Sequence, residues 1–335
     1  MNRIVFMRRI ITLVVAMLVL AGAGCKAGQE PPTPSPDTAS AAVPRTGTPA
    51  ATGDPVIAAA GDIACDPSSP RFNGSDPKYC QDEKTADVVR NINPDKVIAL
   101  GDEQYTDGTL PEFQKSYARS WGKPDIKDKT KPVVGNHEYH TKNAQGYRDF
   151  FGNPGSTDLA YSYKVGAWRV FSLNSNCAEL AKPGVSGSCS GQIAWMKKTM
   201  KDSPTKCTIA AWHHPRRTDV ANHYPGDSAV AGFEQAFYDS RGDVVLNGHA
   251  HSVEVSAKVT PAGNASSRGV KHFTIGSGGK ESYLPWQHSS KPSWNTYRTN
   301  SHHAVLQLVL HPTSYDYELK AIDGSTLFSG TRNCV

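Results

Sequence analysis

The sequence contains no dense run of basic residues and no stretch in which basic and aromatic side chains alternate. Its formal net charge of +5 is spread over 335 residues. The chain therefore lacks the electrostatic footprint of a specific nucleic-acid-binding protein. Nothing marks an internal repeat, so the length accommodates one large domain or two ordinary ones, with enough apolar residues for a packed core.

The seven cysteines include no C-x-x-C pair, and this absence argues against a thiolate metal site. If Cys25 is set aside, the remaining six are an even number that can close three disulfides in an oxidising compartment. Proximity along the chain favours three pairs, of which the last is a long-range crosslink: Cys65 with Cys80, Cys177 with Cys189, and Cys207 with Cys334.

The apolar run 10–23 is short for a full membrane span, so a membrane anchor is the weaker interpretation of the N-terminus. Arginines precede the run and small residues follow it, which is the layout of an export signal over residues 1–25. Cleavage before Cys25 would produce a lipoprotein acylated at that residue. Gly22 stands where a bacterial lipobox usually has leucine, so ordinary signal cleavage near Ala23 is the alternative.

Residues 26–54 are rich in Pro, Thr, Ser, Ala and Gly and contain almost no large apolar side chain. A segment of this composition cannot bury enough surface to fold, which predicts a disordered tether. The folded domain is predicted to begin after it and to occupy residues 55–335.

Five apolar runs of the folded domain each end in glycine, carboxylate, amide or imidazole groups. Open α/β sheets place their chemistry beyond the carboxyl ends of such buried strands. The clearest run, 96–105, leads through Gly101 to Asp102 and Tyr105. We therefore expect five strand ends, of the runs 56–62, 96–105, 131–138, 207–215 and 243–251, to bring metal-binding side chains to one place.

Helical spacing of apolar residues predicts helices over 82–91, 110–121 and 191–200, with their aromatic and methionine stripes in the core. From Leu159 onward the pattern changes to hairpin-like strands, with further strands expected in 269–274 and 304–319. Early β–α units followed by antiparallel additions predict one mixed α/β domain.

Each motif alone has a structural explanation, because a Gly-Asp is often a turn and a histidine at a strand end is often only hydrogen-bonded. Together they are specific. Carboxylate and amide oxygens, a phenol and three imidazoles suit a pair of transition-metal ions better than magnesium or calcium. The motifs, in chain order, are Gly61-Asp62, Gly101-Asp102, Gly135-Asn136-His137-Glu138, His213-His214-Pro215 and Gly248-His249-Ala250-His251.

These ordered motifs resemble those of the calcineurin-like metallophosphoesterases. Tyr105, three residues after Asp102, narrows the resemblance to the purple acid phosphatase branch, in which that phenolate binds ferric iron. The resemblance covers about Val56 to His251, and Thr274-Ile-Gly-Ser-Gly-Gly also resembles the family's end. It implies a four-layer αββα sandwich of two mixed β-sheets flanked by helices, forming one metallophosphoesterase catalytic domain.

The resemblance also implies two divalent or trivalent transition-metal ions, Fe(III) with Zn, Fe or Mn. Carried over residue by residue, one ion would bind Asp62, Asp102, Tyr105 and His251, and the other would bind Asp102, Asn136, His213 and His249. His213 is chosen because the family pattern resembles His-x-Pro, and the reverse choice of His214 stays open. Ala64 replaces the histidine or glycine of the family's first motif, and since alanine cannot ligate, the Tyr105 scheme is favoured.

Three further roles follow from the resemblance. His137 would lie beside the substrate phosphate, where it would steady the phosphate or protonate the leaving oxygen. His214 would contact the site without binding metal, and Glu138 would orient its neighbours. Four more histidines stay unassigned, although they could line the cleft: His140, His223, His302 and His303.

The sequence thus predicts an exported metallophosphoesterase, an acid or alkaline phosphatase-like enzyme that hydrolyses organic phosphate monoesters by attack of a metal-activated hydroxide. The alternatives are a phosphodiesterase or nucleotide hydrolase on the same site, or a non-catalytic lipoprotein that binds phosphorylated ligands. The expected partner is a small phosphate ester, with membrane contact only through the lipid anchor and no specific nucleic-acid binding. A monomer or dimer, anchored to the outer face of a bacterial membrane or secreted, is expected.

Overall fold

The computed structural model describes residues 53–155, 158–185, 187–282 and 284–335. The expected export signal over 1–25, Cys25 and nearly all of the expected tether over 26–54 lie outside these residues. No helix in the described part of the chain is long and apolar enough to cross a membrane.

One sheet has five strands in the order β12-β11-β10-β1-β2. Strand β1 pairs in parallel with the edge strand β2 and antiparallel with the central strand β10, so the sheet is mixed. The strands are β1 (Val56–Ala60), β2 (Lys96–Ala99), β10 (Ala304–Leu310), β11 (Ser314–Ala321) and β12 (Thr326–Asn333).

The other sheet has seven strands in the order β3-β4-β5-β6-β8-β7-β9. The four strands from β4 to β8 in that order are parallel, and β3, β7 and β9 add antiparallel edges. The strands are β3 (Tyr161–Val165), β4 (Trp168–Ser172), β5 (Cys207–Ala211), β6 (Val244–Asn247), β7 (Val253–Val259), β8 (Val270–Ile275) and β9 (Asn295–Thr299).

Seven α-helices occupy the connections in the described chain: α1 (Asp82–Ile92), α2 (Leu110–Lys115), α3 (Pro124–Lys127), α4 (Gln145–Phe151), α5 (Cys177–Leu180), α6 (Cys189–Asp202) and α7 (Ala231–Asp239). Four short 3₁₀ turns supplement them: Tyr117–Arg119, His137–His140, Lys142–Ala144 and Ser228–Val230.

The alternation of side chains along β5 shows how the layers are arranged. Ile209 and Ala211 belong to the larger core cluster, which contains residues of both sheets. Ala210 faces the opposite way, into a second cluster that Met196 of α6 and Phe233 of α7 complete. On the far side of the five-stranded sheet, α1 packs against β10 and β11. The expected four-layer αββα sandwich of two mixed sheets is therefore confirmed.

The segment 131–138 is not a strand, so the expectation of five strand ends was wrong for this run. Lys131 N donates to Val97 O at 2.7 Å and Val133 N donates to Ala99 O at 2.8 Å, both on β2. Pro132, between these donors, has no N–H to offer a partner on the other side. The segment therefore follows β2 as an irregular extended chain and still reaches the same edge as four true strands.

The helix expected over 110–121 also ends early, at Lys115. In a continuous α-helix Tyr117 N would donate to the carbonyl four residues earlier. Here it donates to the side-chain oxygen of Gln104 at 3.0 Å instead, and a 3₁₀ turn follows. The aromatic stripe is nevertheless buried as expected, since Phe113, Tyr117 and Trp121 are all inaccessible to solvent.

Three disulfides join the six cysteines of the described chain, in the pairs proposed from proximity. Cys65–Cys80 and Cys177–Cys189 close short loops of sequence separation 15 and 12, whereas Cys207–Cys334 spans 127 residues. The long crosslink ties β5 to the chain just after β12. It therefore joins the two sheets covalently. A crosslink over so many residues restricts the unfolded chain more than the two short-loop disulfides do.

His311 links the start of β1 to the turn between β10 and β11. Its Nδ1 lies 2.6 Å from Asp54 Oδ2 and its Nε2 lies 3.2 Å from Asp316 Oδ2. Burial lowers the pKa of His311, but the hydrogen bonds to the two carboxylates outweigh this and raise it. Folding is therefore favoured when this imidazole is protonated.

We expect this contribution to be fully present below about pH 6.5, the ordinary pKa of histidine, and to be lost as the pH rises through the raised pKa of the folded state. Urea unfolding of wild type and His311→Gln should give a difference in unfolding free energy that shrinks from pH 5.5 to pH 9. His302→Gln is the control, because the His302 ring hydrogen-bonds the hydroxyls of Thr299 and Ser301 in place of two carboxylates. A pH-independent difference would contradict the assignment.

Candidate metal centre

The carboxyl ends of β1, β2, β5 and β6 lie at one edge of the sandwich, where the chain turns sharply after each strand. Three residues at these turns adopt positive φ, a conformation that non-glycine residues rarely take: Asp62 at 60°, Asp102 at 50° and His249 at 66°. Such strain persists only where the surroundings enforce it, and it is concentrated at functional sites. Here it directs three polar side chains toward one another.

Two glycines allow the segments to approach closely at this edge. A Cβ at Gly101 would lie 2.4 Å from His213 Nδ1, and one at Gly135 would lie 2.2 Å from Asp102 Oδ1. Any side chain at either position would therefore displace a candidate ligand. The glycines of the sequence motifs are explained by this packing and not only by turn formation.

A first group of four donor atoms converges between β1, β2 and β6. Tyr105 Oη lies 2.8 Å from Asp62 Oδ1, 3.0 Å from Asp102 Oδ2 and 2.9 Å from His251 Nε2. His251 Nε2 is also 3.1 Å from Asp62 Oδ1. Asp102 is 2% exposed and Asp62 is fully buried.

A second group shares Asp102 with the first. His213 Nε2 lies 3.3 Å from Asp102 Oδ2 and 3.2 Å from Asn136 Oδ1. The His249 ring centroid is 5.1 Å from that of His213. The ligand-type nitrogens of His213, His214 and His249 lie within 4.8 Å of one another. The seven sequence-predicted ligands are thus brought together: Asp62, Asp102, Tyr105, Asn136, His213, His249 and His251.

Hydrogen bonds fix the orientation of two of these imidazoles. His213 Nδ1 donates to the carbonyl of Leu100 at 2.7 Å, and His251 Nδ1 donates to the carboxylate of Glu281 at 3.0 Å. In each ring the Nε2 lone pair therefore faces the convergent donors. Histidines that bind metals are held by such partners on the opposite nitrogen.

His213 and His214 differ in a way that bears on the open choice between them. His213 is completely buried and aims Nε2 at Asp102 and Asn136, whereas His214 places Nδ1 2.8 Å from the hydroxyl of Ser175. This geometry favours His213 as the ligand.

Glu138 organises the backbone beneath the site, as the sequence suggested. Its carboxylate accepts hydrogen bonds from Asp102 N at 3.0 Å, Gly135 N at 2.8 Å and Gln104 N at 3.3 Å. Burial and then the nearby Asp102 raise the pKa of Glu138 to about 7. Burial and the Glu138 charge raise the pKa of Glu103 well above its usual range.

The electrostatics of the donor cluster indicate a need for positive charge. Burial and the carboxylates of Asp102 and Asp62 raise the pKa of Tyr105 well above its usual value. Burial alone would also raise the pKa of Asp102, but the neighbouring imidazoles, His213 first, hold it well below its ordinary range. A bound cation inverts this balance, because it favours carboxylate and phenolate forms.

The donor set therefore fits transition-metal ions. Ligands that bind one such ion at about 2.0–2.2 Å lie about 3 Å from one another in neighbouring positions, and the first group shows separations of 2.8–3.1 Å. Mixed oxygen and imidazole donors suit iron, zinc or manganese. Ala64, as expected, contributes no donor and is buried in a bridge to Gln104.

Other sequence candidates lie around this cluster or away from it. His137 Nδ1 donates to Thr106 O at 2.7 Å, and its Nε2 is 3.9 Å from Asp102 Oδ2. His140 packs against His137 with ring centroids 4.8 Å apart. His303 is buried against Ser277 O, and His302 contacts Thr299 and Ser301, so neither joins the donor cluster.

Sequence reasoning missed two residues of the site. His223 was left unassigned, yet its ring centroid lies 4.5 Å from that of His249 and 6.4 Å from that of His251. Glu281, the partner of His251, was not singled out at all. Each lies in a loop whose path depends on tertiary contacts, and the only signal was the presence of titratable residues near the family-like motifs.

Comparison with known proteins defines the class. The family model for calcineurin-like phosphoesterases matches residues 55–253. Purple acid phosphatase 15 of Arabidopsis thaliana is 25% identical over 246 residues, covering 62% of this chain and 45% of that protein. Purple acid phosphatase 18 of the same plant is 28% identical over 160 residues, covering 46% and 35%. The matched segment therefore spans less than half of either relative.

Solved structures agree on the fold. Purple acid phosphatase PPD1 from yellow lupin seeds (Lupinus luteus) superposes with a TM-score of 0.64 at 14% identity, covering 84% of this chain and 54% of that one. GAP50, described as the anchor in the inner membrane complex of Plasmodium, has a TM-score of 0.60 at 15% identity, covering 84% and 89%.

The chain belongs to the calcineurin-like phosphoesterase family. Within that family, the relatives and the lupin structure confirm the expected resemblance to the purple acid phosphatase branch. The family implies two metal ions, which agrees with the two donor groups that share Asp102.

Glu281 provides a test of how the site holds metal. Glu281→Gln removes the charged acceptor of His251 Nδ1, and such partners contribute about 10- to 100-fold to metal affinity. We expect a loss of that size in affinity for the ion of the first donor group, to which His251 belongs, measured by competition with a chelator of known affinity. Glu83→Gln, at an exposed residue 3.7 Å from Arg119, is the control. Unchanged affinity in Glu281→Gln would contradict this role.

Proposed function

We propose that the protein is an exported, dinuclear metal-dependent phosphomonoesterase that frees inorganic phosphate from organic esters. The observation that carries the proposal is the convergence of Tyr105 Oη, Asp62 Oδ1, Asp102 Oδ2 and His251 Nε2 within 2.8–3.1 Å. A module that only bound phosphorylated ligands would have no need for so many oxygen and imidazole groups suited to binding metal ions.

In this proposal Asp102 would contribute to both metal sites. Asp62, Tyr105 and His251 would hold Fe(III) with it, and Asn136, His213 and His249 would hold Zn, Fe or Mn with it. Such a pair supplies a water of lowered pKa and positive charge that stabilises the attacking and leaving oxygens.

The chain's own residues then complete the site. His251 and His213 keep their ligating nitrogens oriented through Glu281 and the Leu100 carbonyl. His137, anchored to Thr106 O, presents its other nitrogen toward the centre, where it donates to the substrate phosphate or gives a proton to the leaving oxygen. His214 and His223 line the remaining sides.

Monoester hydrolysis is favoured over diester hydrolysis because a monoester brings up to two negative charges. Imidazole N–H groups of His137, His214 and His223 would donate hydrogen bonds to the additional charge, which a singly charged diester lacks. A nuclease would need a track of basic residues for neighbouring phosphates, and the sequence has no clustered basic run near the motifs. We therefore expect no specific nucleic-acid binding.

Two alternatives keep the same site. A phosphodiesterase or nucleotide hydrolase would use the same donors with a different cleft. A non-catalytic role is supported only by the structural similarity to GAP50, whose description is that of an anchor. The hydrogen-bonded orientation of His213 and His251, two of the three candidate ligand histidines, supports catalysis over that role.

Export is part of the proposal. Three disulfides are typical of proteins that reside in oxidising compartments. We infer that the N-terminal signal directs export and that Cys25 carries a lipid on the outer face of a bacterial membrane, with release as a secreted protein as the alternative. The domain would act as a monomer or dimer on small phosphate esters.

The reaction type is tested by comparing kcat/KM on an aryl phosphate monoester, a bis-aryl diester, cyclic nucleotides and DNA. We expect the monoester to be preferred, and His137→Ala to lower monoester kcat/KM about 100-fold or more, with a smaller loss on the diester. His302→Ala is the control, because the His302 ring hydrogen-bonds the hydroxyls of Thr299 and Ser301 and lies outside the donor cluster. Clear preference for a diester or DNA in the wild type would refute the monoesterase proposal.

The ferric assignment is tested by colour. With Tyr105 bound as phenolate to Fe(III), the purified protein should absorb visible light, and Tyr105→Phe should abolish that band while leaving the unfolding midpoint nearly unchanged. Tyr147→Phe is the control, because Tyr147 is equally buried but belongs to the core of α4. A colourless wild type containing only zinc or manganese would refute the ferric assignment and leave the phosphoesterase proposal standing.

A further inference from the structure

A pocket of about 430 Å³ opens beside Asn136 and His214. Three segments form its walls: 136–140, 175–179 and 227–229. Small-molecule sites typically enclose about 300–1,000 Å³. Because Asn136 and His214 also belong to the candidate metal centre, the pocket is a continuation of that centre and not a separate site.

The walls of this pocket are held rigidly. Asn176, only 6% exposed, donates from its side-chain nitrogen to Val134 O and Gly135 O, both at 3.3 Å. The disulfide of Cys177 and Cys189 restrains the next residue. A pocket built in this way keeps its shape before a ligand arrives, which lowers the entropic cost of binding.

The charge of the lining is one-sided. The described residues that line the pocket include two carboxylates, Glu179 and Asp227, and neither a lysine nor an arginine. Lys182, outside the lining, binds Glu179 Oε2 at 2.6 Å and offsets part of its charge. Asp227 Oδ1 accepts a backbone hydrogen bond from Ala229 N at 2.8 Å, and no basic side chain of the described residues pairs with this carboxylate.

An aromatic ring also favours cationic ligands in this pocket. Tyr139 lines the pocket, and its hydroxyl accepts a hydrogen bond from Asn174 Nδ2 at 2.7 Å. The ring is thereby held in place, packed on one side against the core and lining the pocket on the other. Aromatic faces attract cations, and this attraction is larger where water is partly excluded.

We propose that this pocket receives the alcohol of the phosphate ester and selects neutral or cationic alcohols over anionic ones. The inference rests on the proposed function, because a phosphate held at the metal centre beside Asn136 and His214 would direct the alcohol into the adjoining pocket. A carboxylate or second phosphate on the alcohol would be repelled by Glu179 and Asp227. A hydroxylated or amine-bearing alcohol would meet acceptors and the Tyr139 ring.

The test uses three aryl phosphates of matched size and reactivity: the 4-(aminomethyl)phenyl, 4-(hydroxymethyl)phenyl and 4-(carboxymethyl)phenyl monoesters. The three esters differ only in the 4-substituent and its charge. A methylene group separates this substituent from the ring, so the leaving-group phenols have similar reactivity. We expect kcat/KM in the wild type to be highest for the cationic ester and lowest for the anionic ester. Dissociation constants of the same three esters are measured in parallel by calorimetry.

Variants that neutralise the two carboxylates test whether the pocket causes the charge preference among the esters. Glu179→Gln with Asp227→Asn should raise the ratio of anionic to neutral kcat/KM about threefold to tenfold, as expected for unit charges several ångströms apart in a partly solvated pocket. Lys182→Gln leaves both carboxylates intact and should lower that ratio. Asp202→Asn, on α6 and paired with Lys198, is the matched control and should leave it unchanged.

The outcomes separate the two proposals. Wild-type preference for the anionic ester, or a ratio that neither the double variant nor Lys182→Gln shifts, would overturn the role of the pocket even if all three esters are hydrolysed. If the esters bind without hydrolysis, the proposed function fails, and the order of their dissociation constants still decides the pocket's selectivity. If the double variant unfolds, Lys182→Gln decides alone.

Discussion

The structure depends on one electrostatic constraint, the burial of several acidic groups at one sheet edge. Asp62, Asp102, Glu103 and Glu138 are all 2% exposed or less, and the Tyr105 hydroxyl contacts two of them. Uncompensated charges in such a place cost several kcal/mol each. Burial and the Glu138 charge raise the pKa of Glu103, which favours its neutral form, and imidazoles near Asp102 offset part of the charge of that carboxylate. Two bound cations would compensate the remaining negative charge. The buried acidic cluster therefore destabilises the metal-free fold and also provides the metal-binding site.

The backbone around the site follows from this constraint. Positive φ at Asp62, Asp102 and His249 directs the ligands inward, and glycines at 101 and 135 let the turns approach. Glu138 accepts three backbone N–H groups from two of the turns, so one carboxylate fixes their separation. The Cys207–Cys334 disulfide and the shared core hold the two sheets that carry these turns. Strain at the site is thus balanced by packing elsewhere.

Much of this arrangement is readable from the sequence, for a physical reason. Buried strands are continuous apolar runs, and their ends are marked by glycine and polar residues, so the ends of β1, β2, β5 and β6 were predictable. The run 131–138 failed because Pro132 removes a donor, which turns an apparent strand into an irregular chain. The helix over 110–121 failed because the Gln104 side chain competes for Tyr117 N, a contact between residues 13 apart in sequence.

The parts of the site that the sequence did not reveal are those that loops contribute. His223 and Glu281 reach the centre only because distant segments fold back over it, and no periodicity marks such residues. The pocket beside Asn136 likewise forms from three separate segments, so its acidic lining could not be anticipated from any one of them. Motifs at strand ends identify the reaction centre, whereas tertiary contacts determine its surroundings and the substrates it accepts.

The central claim is that one buried carboxylate, Asp102, joins two ions. Crystals of protein produced with iron and zinc in the medium, measured at the absorption edges of both metals, test it most directly. The account predicts two anomalous peaks, one among Asp62, Tyr105 and His251 and the other among Asn136, His213 and His249, with Asp102 contacting both. A single peak, or two peaks that do not share Asp102, would contradict it.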